Sequence, residues 1–181
     1  MRCFCAIMLP SAAQVSIHQW LSQSPPTLLA TPGLRWQPPE SWHLTLRFLN
    51  HVSSLQSQQF ITAFASQIQR TCFHITLTQA IWFPNAKNPK GLALALQPCA
   101  TLVDLAGQIN QSVAEFSFPA DPRAFLPHIT LARTQSVNHP LPDVPSQPLN
   151  LTVSVTHWQF MQSFTKPSGS EYQVLQQFSL Q

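Results

Sequence analysis

His43-Leu44-Thr45-Leu46-Arg47 and His128-Ile129-Thr130-Leu131-Ala132-Arg133 repeat one pattern: histidine, apolar residue, threonine and leucine, with an arginine close behind. In an extended strand successive side chains point to opposite faces, so each histidine shares a face with its threonine while the apolar residues face the core. Two such strands side by side place two imidazoles and two hydroxyls in one cleft. Because imidazole both takes and gives a proton near neutral pH, this cleft is suited to general acid–base chemistry.

The composition is that of a globular protein with few charges. The chain has 181 residues, of which 44% are hydrophobic, enough for a substantial core. Only 8% are charged and the net charge is +3, which suits an anionic substrate but is too weak to indicate tight nucleic-acid binding by charge alone. The few carboxylates form no cluster in the sequence, which counts against a magnesium-dependent phosphotransfer site and a two-carboxylate glycosidase.

Cysteine usage and hydropathy predict a cytoplasmic protein that is not associated with a membrane. The cysteines at positions 3, 5, 72 and 99 form no metal or redox motif and are typical of buried, reduced thiols. The apolar run before Pro10 indicates a first strand rather than a signal peptide, and no stretch has the length of a membrane span. Without an H-E-x-x-H or H-x-H pattern, we expect no metal and no cofactor.

Strands and helices alternate in two similar series. Each runs through a strand, a helix, a connector, a His-Thr strand and a later long strand, over residues 2–83 and again over about 91–164, before a final strand at 172–180. In this interpretation Leu149–Phe164 is one alternating strand. We therefore predict that residues 1–181 form a single α+β domain of two pseudo-symmetric lobes. Each lobe is a mostly antiparallel sheet backed by helices, and the active-site cleft lies between them. Since the two halves already supply a pseudo-twofold, we expect a monomer.

A third string, His74-Ile75-Thr76-Leu77, has the same local pattern. It lacks the Pro-rich connector before it and the arginine after it, and the internal repeat places it in the long strand. We therefore expect His74 on an outer strand face, away from the chemistry.

The extended surroundings of both motifs carry a family resemblance. They include Arg35-Trp36-x-x-Pro39-Glu40 before the first motif, Phe125-x-Pro127 before the second, and Gly169-x-x-Tyr172 near the end. With these stretches the chain resembles the 2H phosphoesterase superfamily, and within it the RNA 2′,3′-cyclic phosphodiesterases, historically called 2′-5′ RNA ligases. Asn50 departs from the pattern, since such proteins often carry glycine there.

The resemblance implies an enzyme that opens 2′,3′-cyclic phosphates at RNA ends to 2′-phosphates without a metal, and in reverse joins RNA through 2′-5′ linkages. It implies that one of His43 and His128 is the acid and the other the base. We take His43 as the acid and His128 as the base, although the residues alone leave this open. The expected partner is RNA with a 2′,3′-cyclic phosphate end, or a cyclic nucleotide.

Four further residues are expected to bind the substrate phosphate. Thr45 and Thr130 can donate hydrogen bonds to its nonbridging oxygens. Arg47 lies two residues beyond Thr45, so regular alternation puts it on the same face. Arg133 lies three beyond Thr130, so a bulge or strand end must turn it toward the site, and its role as a phosphate clamp rests on the resemblance.

Three alternatives remain open. The chain is a non-catalytic module that binds RNA ends, or a 2H phosphodiesterase that acts on a small cyclic or 2′-5′ nucleotide. A histidine-based metal hydrolase ranks last because the sequence offers too few ligands.

Overall fold

The computed structural model describes residues 1–68, 71–119, 121, 124–134, 141–166 and 169–181. In this part of the chain nine strands, four α-helices and a short 3₁₀ helix at Pro39–Ser41 follow one another. Their bounds are β1 Arg2–Met8, α1 Ser11–Leu21, α2 Pro26–Leu29, β2 Leu34–Trp36, β3 His43–His51, α3 Ser54–Gln67, β4 Phe73–Phe83, β5 Gly91–Leu96, α4 Ala100–Ala114, β6 His128–Thr134, β7 Leu151–Val155, β8 His157–Lys166 and β9 Gly169–Ser179.

All the described strands belong to one antiparallel sheet with the order β7-β4-β5-β6-β3-β1-β8-β9, and β2 pairs with β6 beside this path. The motif strands β6 and β3 lie in the middle and divide the sheet into two halves of four strands. The predicted α+β class with two halves of antiparallel sheet is confirmed. The two lobes are not separate sheets, however, because β3 and β6 pair directly through Leu44 and Ile129.

The chain crosses between the two halves. β4 belongs to the first series in the sequence but pairs with β5 and β7, and β8 of the second series pairs with β1. The predicted single strand Leu149–Phe164 is wrong, because the chain breaks at Thr156 into β7 and β8, which lie in opposite halves. Both strands contribute buried residues, so the hydrophobic pattern runs through the break without marking it. The internal duplication stays a prediction.

Helices cover one face of the sheet. α3 begins with a capping box between Ser53 and Gln56, and α4 buries Leu102, Ile109 and Val113 against the core. Leu44 and Ile129 point to this side and are fully buried. The opposite face, which carries the two histidines and threonines of the motifs, is called the open face below. None of the described helices combines the length and hydropathy that a membrane span requires.

Both motif strands contain the same irregularity directly after the threonine. Thr45 pairs with Ala6, yet the next residue of β1, Cys5, pairs with Arg47, so Leu46 is an extra residue. In the same way Ala93 pairs with Thr130 and the adjacent Leu92 with Ala132, which leaves Leu131 extra. Each bulge reverses the facing of the residues that come after it.

The bulges decide the positions of the two predicted phosphate-binding arginines. Arg133 pairs with Gly91 and is exposed on the open face, as predicted if a bulge intervenes. The expectation that Arg47 shares the face of Thr45 is wrong, because the bulge turns it toward the core beside Cys5. There its guanidinium Nη1 lies 3.2 Å from Asp121 Oδ2, and Nη2 donates a hydrogen bond to the Pro119 carbonyl. Arg47 therefore ties the segment before the second motif to the first motif strand.

We predict that Arg47→Met lowers the free energy of unfolding by about 2 kcal/mol, because it removes the buried charged donor that contacts Asp121 and the Pro119 carbonyl. The side chain is only 6% exposed, so methionine retains its packing. Urea unfolding followed by circular dichroism measures the change. Arg2→Met, at an exposed arginine, is the control and is expected to shift the free energy by less than about 0.5 kcal/mol. Equal stability of the two variants would contradict the structural role.

Candidate active site

The pairing of β3 with β6 interleaves the two motifs. Because Leu44 is opposite Ile129 in an antiparallel pair, His43 comes next to Thr130, and Thr45 next to His128. All four side chains are half-buried on the open face. The structure thus brings together the predicted acid–base pair and both predicted threonines.

Mostly small side chains flank these four residues on the neighbouring strands. Thr45 pairs with Ala6 of β1, while Thr130 and His128 pair with Ala93 and Ala95 of β5. Ala6 and Ala93 are themselves buried, and Ala6 packs in a cluster with Phe4 and Met161. Met8, opposite His43, is the larger exception.

Each imidazole is held by a carbonyl two residues before it. His43 Nδ1 lies 2.6 Å from the Ser41 oxygen, and His128 Nδ1 lies 2.7 Å from the Leu126 oxygen. A carbonyl only accepts hydrogen bonds, so Nδ1 carries the proton in both rings. Nε2 is then left as the atom that takes or gives a proton. Two equivalent contacts thus fix the same tautomer in both halves.

The surroundings of both histidines lower their pKa values below that of free histidine, which favours the uncharged imidazole. Burial lowers the pKa of His43, the Ser41 carbonyl partly offsets this, and the positive charges of Arg133 and His128 lower it further. Burial also lowers the pKa of His128, against the raising effect of the Leu126 carbonyl and with a smaller lowering by Arg133. The guanidinium of Arg133 therefore lies within electrostatic reach of both imidazoles.

Aromatic rings from outside the two motifs contact both imidazoles. The ring of Phe83 stacks on His128, with centroids 3.7 Å apart and planes at 19°. His43 meets Tyr172 edge-on at 5.2 Å and Phe4 at 5.2 Å. Tyr172 belongs to the stretch that carries the family resemblance, whereas no local signal identifies Phe83.

Arg133 is positioned by a close approach of β5 to β6. Its partner Gly91 has no side chain, and a Cβ there would collide with the Ala132 carbonyl oxygen. Glycine is therefore required for β5 to run alongside the bulge that turns Arg133 to the open face.

The sequence also offers three aromatic side chains near the motifs, Trp36, Phe48 and Phe125, as rings that could stack on a base. Trp36 and Phe125 pack against the core, whereas Phe48 is 44% exposed. His74 is exposed on β4, opposite Ser154 of β7. Among the described residues, no group of three or more histidine, cysteine, aspartate or glutamate side chains is placed to hold a metal ion.

Comparisons with known proteins agree with this geometry. A family model described as LigT-like phosphoesterase matches residues 7–93, which include the first motif. An RNA 2′,3′-cyclic phosphodiesterase of Thermus thermophilus is 29% identical over 99% of this chain and 90% of its own length. A crystal structure of a Thermus thermophilus protein matches with a TM-score of 0.86 at 26% identity, over 99% of this chain and 98% of that one. Escherichia coli LigT complexed with 3′-AMP matches with a TM-score of 0.81 at 27% identity, over 99% and 97%. The chain is thus similar to LigT-like phosphoesterases, to the family model over residues 7–93 and to the relatives and structures named above over nearly its whole length.

Proposed function

We propose that this protein hydrolyses the 2′,3′-cyclic phosphate at RNA ends to a 2′-phosphate, in line with the name of its Thermus thermophilus relative, an RNA 2′,3′-cyclic phosphodiesterase. The observation that carries the proposal is the interleaving of two His-Thr pairs on one face, with both Nε2 atoms left for proton transfer. The proposed substrate is RNA with a cyclic phosphate end.

The proposed reaction is an in-line displacement at phosphorus. The base Nε2 takes a proton from water while the water oxygen attacks phosphorus. The bond from phosphorus to the ribose 3′ oxygen breaks, and the acid Nε2–H gives its proton to that oxygen. The products are a 2′-phosphate and a 3′-hydroxyl. Two histidines of opposite protonation state suffice for this chemistry, so the mechanism needs no metal.

We assign the acid to His43 and the base to His128. The charge that develops on the nonbridging oxygens is stabilised by the hydroxyls of Thr45 and Thr130, which lie beside the opposite histidine, and by the guanidinium of Arg133. Arg47, bound to Asp121, contributes structure instead. When the 5′-hydroxyl of a second RNA attacks phosphorus in place of water and the 3′ oxygen leaves, the same groups join the RNA ends through a 2′-5′ linkage.

The cysteines support a cytoplasmic location. Burial raises the pKa of the Cys5 thiol well above its ordinary value and also raises that of Cys3, so both stay protonated and unreactive. All four cysteines are free. That the protein acts as a monomer stays a prediction.

We predict that His43→Ala and His128→Ala each lower kcat by about 10²- to 10⁴-fold, because each removes one proton-transfer group. The double variant loses far less than the product of the single losses, since the two groups act in one step. The assay follows a short RNA with a 2′,3′-cyclic phosphate, in EDTA. His74→Ala, at the third His-Thr string, is the matched control and retains full activity.

Other outcomes of this assay would decide between the alternatives. Binding of the RNA by the wild type without turnover would favour an end-binding module. Loss of activity in EDTA would favour a metal hydrolase, and loss in His74→Ala alone would show that the wrong histidines were chosen. Turnover of small cyclic nucleotides but of no RNA would favour the nucleotide phosphodiesterase.

We predict a bell-shaped dependence of kcat/KM on pH. Activity rises as the base loses its proton and falls as the acid loses its own. Because both histidine pKa values are lowered, the optimum lies below the range expected for free histidine. Arg133→Gln removes a positive charge that lowers both pKa values, so both limbs move to higher pH while the maximum falls. Proton NMR titration of the two imidazoles measures the same shifts, and unmoved limbs would contradict the placement of Arg133.

A further inference from the structure

A second arginine stands directly opposite Arg133. In the pairing of β2 with β6, Arg35 is the partner of Arg133, so the two side chains emerge on the same face. The neighbours of Arg35 in β2, Leu34 and Trp36, both pack against the core. This alternation confirms that Arg35 points to the open face, beside the arginine that influences both histidines.

The arrangement is unfavourable without an anion. Like charges directly opposite each other across two strands destabilise a sheet. In the described part of the chain neither the Arg35 nor the Arg133 side chain forms a hydrogen bond or an ion pair, and Arg133 is exposed. Two adjacent guanidinium groups without carboxylates are suited to a phosphate, whose oxygens accept paired hydrogen bonds from arginine.

The neighbouring turn adds to this positive surface. Lys87 and Lys90 lie in the turn that leads from β4 to Gly91, the other partner of Arg133. The Asn85 side chain accepts hydrogen bonds from the backbone of Lys87 and Asn88, and Thr134 N donates to the Lys90 carbonyl. The turn is thus ordered and attached to the end of β6.

Acidic residues are missing from these three segments. Residues 34–36, 84–91 and 132–134 contain four of the nine basic residues of the chain and none of its six acidic residues. In a chain with so few charges, this places a local excess of positive charge next to the histidines. Arg133 alone is enough to bind a single cyclic phosphate, so the additional positive charges indicate a ligand that has further phosphates.

We propose that Arg35, together with Arg133, binds the phosphodiester that precedes the terminal nucleotide of the RNA, and that Lys87 and Lys90 extend this contact along the strand. The inference rests on the proposed function and names its substrate class: an oligoribonucleotide end rather than a cyclic mononucleotide. Arg133 serves both phosphates, whereas Arg35 serves the second one only.

The test compares two substrates, a trinucleotide with a 2′,3′-cyclic phosphate and the matching cyclic mononucleotide. Arg35→Gln is expected to raise KM for the trinucleotide about tenfold, with kcat unchanged, and to leave both constants for the mononucleotide unchanged. The salt dependence of trinucleotide binding is expected to weaken by about 0.7 in log–log slope, as for one lost contact to a single strand. Arg2→Gln is the matched control, because Arg2 is an exposed arginine that donates a hydrogen bond to the Thr165 hydroxyl on β8.

Two outcomes would overturn the inference: an equal effect of Arg35→Gln on both substrates, and no effect on either. If the wild type turns over neither substrate, the proposed function fails, and binding of the 2′-phosphorylated trinucleotide and mononucleotide then decides about the second site. Tighter binding of the trinucleotide that Arg35→Gln abolishes supports the site. Equal affinity of the two ligands for the wild type excludes it.

Discussion

The pairing of β3 with β6 is the contact on which the site depends. The two strands meet at Leu44 and Ile129, both fully buried, and this pair joins the two halves of the sheet. A strand has a side-chain period of two, so a slip of either strand by one residue would turn its histidine toward the core and expose its apolar residues. Burial of this one apolar pair therefore fixes the register that sets each histidine beside the threonine of the other motif.

Local alternation in the sequence predicts side-chain facing well until the alternation breaks. The shared face of His43 and Thr45 results directly from the period of two. Alternation predicts the wrong face for Arg47, because polar and apolar residues still alternate in the sequence where the strand has its bulge. In the structure Leu46 is the extra residue, so Leu46 and Arg47 are both buried. The break at Thr156 between β7 and β8 is likewise not visible in the sequence, because buried apolar residues occur on both sides of it.

Contacts between distant segments were beyond prediction for a different reason. Phe83 reaches His128 from another strand, and Gly91 is required only because the Ala132 carbonyl approaches it. The pairing of Arg35 with Arg133 likewise depends on β2, a strand of three residues inside the Pro-rich connector before the first motif. Such contacts depend on the sheet order, which a single sequence does not specify.

The two halves of the site differ in the side chain that each motif strand presents just after its bulge. The two His-Thr pairs are nearly equivalent: each histidine donates a hydrogen bond to a carbonyl two residues earlier and lies beside a threonine. Alone, they would accept a cyclic phosphate in either orientation. Three residues beyond each threonine, however, one half presents Arg133 and the other presents Phe48, which is 44% exposed. A charged flank on one side and an apolar flank on the other favour a single orientation of a ligand that has a phosphate backbone and bases. In that orientation the two histidines are no longer interchangeable, although the strands that carry them are nearly the same.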